Sequence, residues 1–222
     1  TDVGEDADAT VVIEESYDDG TIYLYTASQA NTSVGELGEG FGYSWHKKIN
    51  GLTGEVVWQK QWAASTGDAS NNGGTHVGRG NISNLVIYAM DLAVMTSEPA
   101  VDDVVDPEAP TGTGGNSLGG RIVAYDKTTG EVAWSIEDAG AGDYWSSPVV
   151  VYDENDSAYL IQCDRAGMVK LYDASTSALL YSLDLGSRID STPAVFNNYL
   201  VVGTRGKGGS QESAKIICVK IA

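Results

Sequence analysis

The feature that most constrains this chain is a hairpin that recurs. Between Arg121 and Ile136, RIVAYDKTTGEVAWSI, the residues Ile122, Ala124, Val132 and Trp134 alternate with polar or amphipathic neighbours, the two-residue period of a pleated strand. The run breaks at Asp126-Lys127-Thr128-Thr129-Gly130. An aspartate there can bond backbone amides ahead of it, and a glycine can take the left-handed conformation that closes a hairpin with a bulge. The same offsets return at Asn50, Thr53, Gly54, Glu55 and Trp58, and more loosely at Asp173, Thr176, Ser177 and Tyr181. A second marker, Ser-Ser-Pro at 146–148, returns as Ser-Thr-Pro at 191–193, an interval of 45 residues against 47 from Gly130 to Ser177.

Two independent markers with nearly one period, in the range of ~40–45 residues, predict an all-β chain built as a β-propeller, one four-stranded antiparallel sheet per blade. The repeats fall at approximately 9–62, 63–138, 139–185 and 186–222. In the first, strands are expected at Thr10–Glu14, Thr21–Thr26, Tyr43–Ile49 and Glu55–Trp62, with a glycine-rich loop at Val34–Gly42. That loop has no lysine and no following helix pattern, which argues against a phosphate cradle. In the second, Thr75–Ser83 is the expected inner strand and Leu85–Met90 the next, before a long insertion at 97–119. Asp102, Asp103, Asp106 and Glu108 could offer oxygen ligands to calcium there, but they match no calcium-loop spacing and read more simply as an acidic surface excursion. The third repeat should place strands at Pro148–Tyr152, Ala158–Cys163, Met168–Tyr172 and Leu179–Leu183, and the fourth at Thr192–Phe196, Tyr199–Thr204 and Lys215–Ile221.

The run Ala124-x-Asp126-x-x-Thr129-Gly130-Glu131-x-x-Trp134 resembles the docking motif A-x-D-x-x-T-G-x-x-x-W of the pyrroloquinoline-quinone-like (quinoprotein-type) β-propeller repeat. The match is strong at Trp134, good at Trp58 and degenerate at Tyr181. The resemblance implies that the motif's tryptophan packs between neighbouring blades, a matter of architecture and not of chemistry. Outer-membrane assembly scaffolds and alcohol dehydrogenases both carry it, so the fold does not choose a function. It also implies a ring of about eight blades, of which these would be the C-terminal four. On that reading the chain would not close a ring alone. Its partner would be a missing N-terminal propeller half or a second copy of the chain.

Composition narrows the classes. The net charge is −18, with 31 acidic and 13 basic residues, which argues against nucleic acid. No run of about 18 apolar residues exists to suggest membrane insertion. The start, TDVGEDADAT, lacks the basic region and apolar core of a signal peptide, as a mature extracytoplasmic chain also would. Cys163 and Cys218 lie in apolar strand-like runs without metal spacing and are expected as buried free thiols. His46 and His76 are the two histidines, and neither belongs to a recognisable triad.

Binding candidates are sought just before each inner strand, where loops would rim a propeller's central channel: His76 and Arg79, then Asp143, Tyr144 and Trp145, then Arg188 and Asp190. The plainer alternative has Tyr144 and Trp145 capping the core while Arg188 pairs with Asp190 or Asp143. These observations favour a non-catalytic, extracytoplasmic binding or scaffolding module that holds a protein or small ligand without a cofactor. The resemblance leaves two alternatives, a portion of a quinone-dependent dehydrogenase using pyrroloquinoline quinone and calcium, and the ligand-sensing ectodomain of a receptor.

Overall fold

The computed structural model describes residues 9–28, 41–65, 75–93, 117–138, 140–141, 144–205 and 214–221. They form four antiparallel sheets, each laid out in chain order. The first contains β1 (Val12–Glu15), β2 (Ile22–Ala27), β3 (Phe41–Asn50) and β4 (Val56–Ser65). The second contains β5 (Thr75–Val77), β6 (Leu85–Ala93), β7 (Ser117–Asp126) and β8 (Val132–Asp138). The third contains β9 (Val149–Tyr152), β10 (Ala158–Cys163), β11 (Met168–Asp173) and β12 (Leu179–Asp184). The fourth has three strands among the described residues, β13 (Ala194–Phe196), β14 (Tyr199–Thr204) and β15 (Lys215–Lys220). The chain is all-β and propeller-like, as its repeats require.

Several strand boundaries differ from the sequence reading, and two of them change what the segment is. The inner strand expected over Thr75–Ser83 stops at Val77, and Gly80–Ile82 coils into a single 3-10 turn. The chain doubles back so tightly that a Cβ on Gly78 would lie 2.0 Å from the Ile82 carbonyl oxygen, which no extended strand would allow. At the other end, residues 117–119 of the expected insertion belong to β7. The calcium candidates Asp102, Asp103 and Asp106, with Glu108, lie outside the described residues, as does most of the glycine-rich loop.

The recurring turn is one structure built three times. Asp126 Oδ1 accepts from the backbone N–H groups of Thr128 and Thr129 at 2.8 and 2.9 Å. Asn50 Oδ1 does the same for Leu52 and Thr53 at 2.9 and 3.0 Å, and Asp173 Oδ1 for Ser175 and Thr176 at 2.9 and 3.0 Å. The closing residue is left-handed each time, with φ of 76° at Gly54, 71° at Gly130 and 64° at Ser177. Each hairpin then carries a bulge one residue before the turn, at Lys48/Ile49, Ala124/Tyr125 and Leu171/Tyr172. The second marker also has a structural reason. Ser146 and Ser191 donate through Oγ to the carbonyls of Cys163 and Gly203, at 2.8 and 2.9 Å, tying the start of each sheet to its second strand.

Successive sheets pack face to face. Tyr25, Trp58 and Trp62 of the first meet Val86, Tyr88 and Tyr125 of the second. Ile87, Ile122 and Ala124 of the second join Leu160 and Tyr172 of the third. Ile161 and Cys163 of the third face Leu200 and Val202 of the fourth. On β14 burial alternates, with Leu200, Val202 and Thr204 turned toward the third sheet and Tyr199 and Val201 turned away. That outward face of the fourth sheet is apolar and uncovered: Phe196 is 77% exposed and Ile216 84%. Cys218 lies on it too, so one of the two thiols is exposed rather than buried, while Cys163 is buried as expected. Both are free. The register of β15 explains the difference, because the even-numbered Cys218 opposes the outward Val201.

Candidate functional site

An antiparallel meander sends its connections alternately to opposite ends of the sheet, and this splits the sequence-derived candidates into two groups. One end collects the turns between first and second strands and between third and fourth. Asn81 N–H, after β5, donates to the Asp156 carbonyl after β9 at 3.2 Å, and Lys127 N–H donates to the Asn84 carbonyl at 2.7 Å. The other end collects the connections between sheets and the turns between second and third strands. There Ala166 N–H reaches the Ala141 carbonyl at 2.9 Å, and Arg205 N–H the Arg188 carbonyl at 2.8 Å.

His76 and Arg79 do not precede an inner strand. His76 sits within β5, and Arg79 follows it, at the opposite end from Trp145, Arg188 and Asp190. The cause is the short β5, which begins at Thr75. Tyr152 gathers this group. Its hydroxyl accepts from Arg79 N–H at 2.9 Å and lies 3.3 Å from His76 Nε2, and the Arg79 guanidinium lies 4.2 Å from its ring centroid. Burial, with a smaller push from the Arg79 charge, lowers the His76 pKa to about 4. A neutral, half-enclosed imidazole holding a tyrosine is a packing arrangement. His46 is fully buried and stacked on Tyr88 at 4.1 Å, with Nδ1 3.0 Å from the Tyr125 hydroxyl. Burial first, then the Arg121 charge, brings its pKa down to about 3.

At the other end, Asp143 lies outside the described residues. Tyr144 is wholly buried, and its ring lies so close to Gly120 that a Cβ there would meet it at 2.3 Å. Its backbone N–H donates to Asp91 Oδ1 at 2.8 Å. Tyr144 thus belongs to the core between the second and third sheets.

Trp145, Arg188 and Asp190 do come together, with two residues the sequence reading did not single out, Arg165 and Arg205. Arg188 Nε donates to Asp190 Oδ1 at 2.6 Å, and Arg205 Nη1 donates to Asp190 Oδ2 at 2.9 Å. Arg165 Nε lies 3.5 Å from Asp190 Oδ1. The guanidinium carbons of Arg165 and Arg188 lie 4.1 and 5.2 Å from the Trp145 ring centroid. Burial alone would raise the Asp190 pKa. Hydrogen bonds from Arg188 and Arg205, with the charges of Arg188 and Arg165, hold it below the ordinary carboxylate value. The signal for the two missed residues was the repeat itself. Tyr159-Leu160 and Tyr199-Leu200 open equivalent strands, which puts Arg165 and Arg205 at one offset, just past the ends of β10 and β14.

Between the third and fourth sheets lies an apolar cleft of about 520 Å³, bordered by Val169, Leu171, Tyr181, Leu183, Val219 and Ile221. Tyr181, at the motif's tryptophan position, is 62% exposed beside it. Among the described residues no three histidine, cysteine or acidic side chains gather as a metal centre, and no helix is long and apolar enough to cross a membrane.

Residues 118–215 match the family described as outer membrane protein assembly factor BamB. No curated protein has a sequence that matches the chain. Among solved structures, BamB from Moraxella catarrhalis superposes with a TM-score of 0.50 at 12% identity, over 96% of this chain and 51% of that one. This chain therefore spans about half the length of that protein. A europium-containing methanol dehydrogenase superposes at 0.49 with 15% identity, over 88% of this chain and 39% of its own. The computationally designed Ika4 protein does so at 0.49 with 12% identity, over 96% and 92%. At such identities the likeness to BamB is one of fold. With the family match over 118–215 and the turn built three times, the chain is similar in fold to propellers of the pyrroloquinoline-quinone-like repeat type.

Proposed function

We propose that this chain is a non-catalytic propeller module that works by holding protein, in an extracytoplasmic setting, with the fourth sheet as a principal contact. The observation that carries this reading is the outward face of that sheet, where Phe196, Tyr199, Val201 and Ile216 are all exposed. Apolar side chains clustered on one sheet face favour burial against another surface, and a strand edge such as that of β15 offers backbone groups for pairing. The occupant we favour is more propeller, either an N-terminal set of blades or a second copy of this chain. The match to about half of a longer propeller supports that choice.

Cys218 lies on the same face, and burial pushes the Cys163 thiol up to about 12, so Cys218 is the thiol expected to react. Sedimentation across micromolar concentrations should show association, together with slower labelling of Cys218 as concentration rises. Phe196→Asp with Ile216→Asp should abolish both effects. A chain that stays monomeric throughout, labels at a constant rate and brings no second polypeptide through purification would overturn the reading.

A further inference from the structure

The cluster around Asp190 gathers more arginine than one aspartate can occupy. The sequence has five arginines, and three of them converge on this one aspartate in a protein of net charge −18. Arg188 and Arg205 each spend one nitrogen on Asp190. A guanidinium carries five N–H donors in a planar fork, so most of theirs are left over. With side chains 29% and 54% exposed, those donors open to solvent. The Arg188 guanidinium carbon lies 5.2 Å from the Trp145 ring centroid, and the backbone bond from Arg205 N–H to the Arg188 carbonyl, 2.8 Å, keeps the two loops together.

From this geometry we propose that Arg188 and Arg205 form a binding site for a carboxylate-bearing ligand at the end of the third and fourth sheets. A planar two-oxygen group can span the two guanidiniums, as Asp190 does with Oδ1 on Arg188 and Oδ2 on Arg205. At Asp190 the hydrogen bonds from Arg188 and Arg205, with the charges of Arg188 and Arg165, together outweigh burial. The carboxylate could come from a small dicarboxylate or from an acidic side chain of a peptide. The site is at a sheet end rather than on the fourth sheet's outward face, so it stands independently of the association proposed above.

Titration calorimetry with succinate and with hexaglutamate tests it. Binding of succinate alone, of hexaglutamate alone or of both supports the site, and the pattern tells a small ligand from a peptide. Arg188→Gln and Arg205→Gln should each weaken binding about tenfold or more, the scale of a lost charge-assisted hydrogen bond. Asp190→Asn should strengthen it, because the competing internal carboxylate is gone. A merely structural cluster would not produce those opposite signs, and thermal melts of each variant check that the fold survives. The proposal is overturned if neither ligand binds up to about 10 mM, if the arginine variants bind unchanged, or if inorganic phosphate binds more tightly than both.

Discussion

The interface between the first and second sheets and that between the third and fourth place the same motif position in opposite circumstances. Trp58 is 8% exposed, and its indole N–H donates to the Lys127 carbonyl, 3.1 Å away, in the turn of the next sheet. Gly130 closes that turn, and a Cβ there would meet the Trp58 ring at 2.9 Å. Glycine is required twice over, for its φ of 71° and for the approach of the ring. Tyr181, at the equivalent place on β12, is 62% exposed beside an open cleft. Trp134 falls between them. It is half-buried and packs against the core between the second and third sheets. The burial of the ring at this position thus falls from the first interface to the last.

The largest expected effect tests that ranking. Trp58→Ala should cost about 3–5 kcal/mol, while Tyr181→Ala should change stability by about 0.5 kcal/mol or less, with Trp134→Ala between. Urea midpoints of the three variants give the order, and equal losses would dissolve the contrast. Next comes the turn. Gly130→Ser should cost about 2–3 kcal/mol, adding left-handed strain to a clash with the indole. Combined with Trp58→Ala, its additional cost should shrink, because the ring it strikes is gone.

The pH response separates the same two interfaces. His46 lies in the first, and an unfolded chain would protonate it below about 6.5. The folded protein holds it neutral until about pH 3. Protons then bind the unfolded state preferentially, so stability present above the ordinary value drains away as pH falls through this window. By pH 5.5 the loss is about 1.4 kcal/mol from this one group. Unfolding at pH 7 and 5.5 should show the parent losing about 1.2 kcal/mol more than His46→Phe, which keeps a ring against Tyr88, while His76, also held neutral by burial, contributes alike to both. The smallest effect is a gain. Ser177→Gly relieves a φ of 64° and should stabilise the third sheet by about 1 kcal/mol. No gain in the thermal midpoint would mean that the serine is held there by something other than the turn.

Much of this architecture was legible in the chain because it is local. Hairpins of period two, Asx turns and left-handed closing residues depend on contacts two to five residues apart, and all three turns formed as their side chains dictate. The inner strand Thr75–Ser83 was overread because nothing nearby announces that Gly78 must sit against the Ile82 carbonyl. The site was legible only in part. Arg188 and Asp190 are two residues apart and find each other, whereas Arg165 and Arg205 join them from turns 25 and 15 residues away from Asp190.

By itself, then, the sequence determined the repeat, the turn chemistry and the alternating faces, since each follows from steric and hydrogen-bonding preferences of neighbouring residues. Only the tertiary structure decided which faces are covered and which charges meet. Those depend on contacts between residues far apart in the chain, as between Trp58 and the Lys127–Gly130 turn of the next sheet. Such contacts leave Trp58 sealed, Tyr181 open and three arginines around a single aspartate.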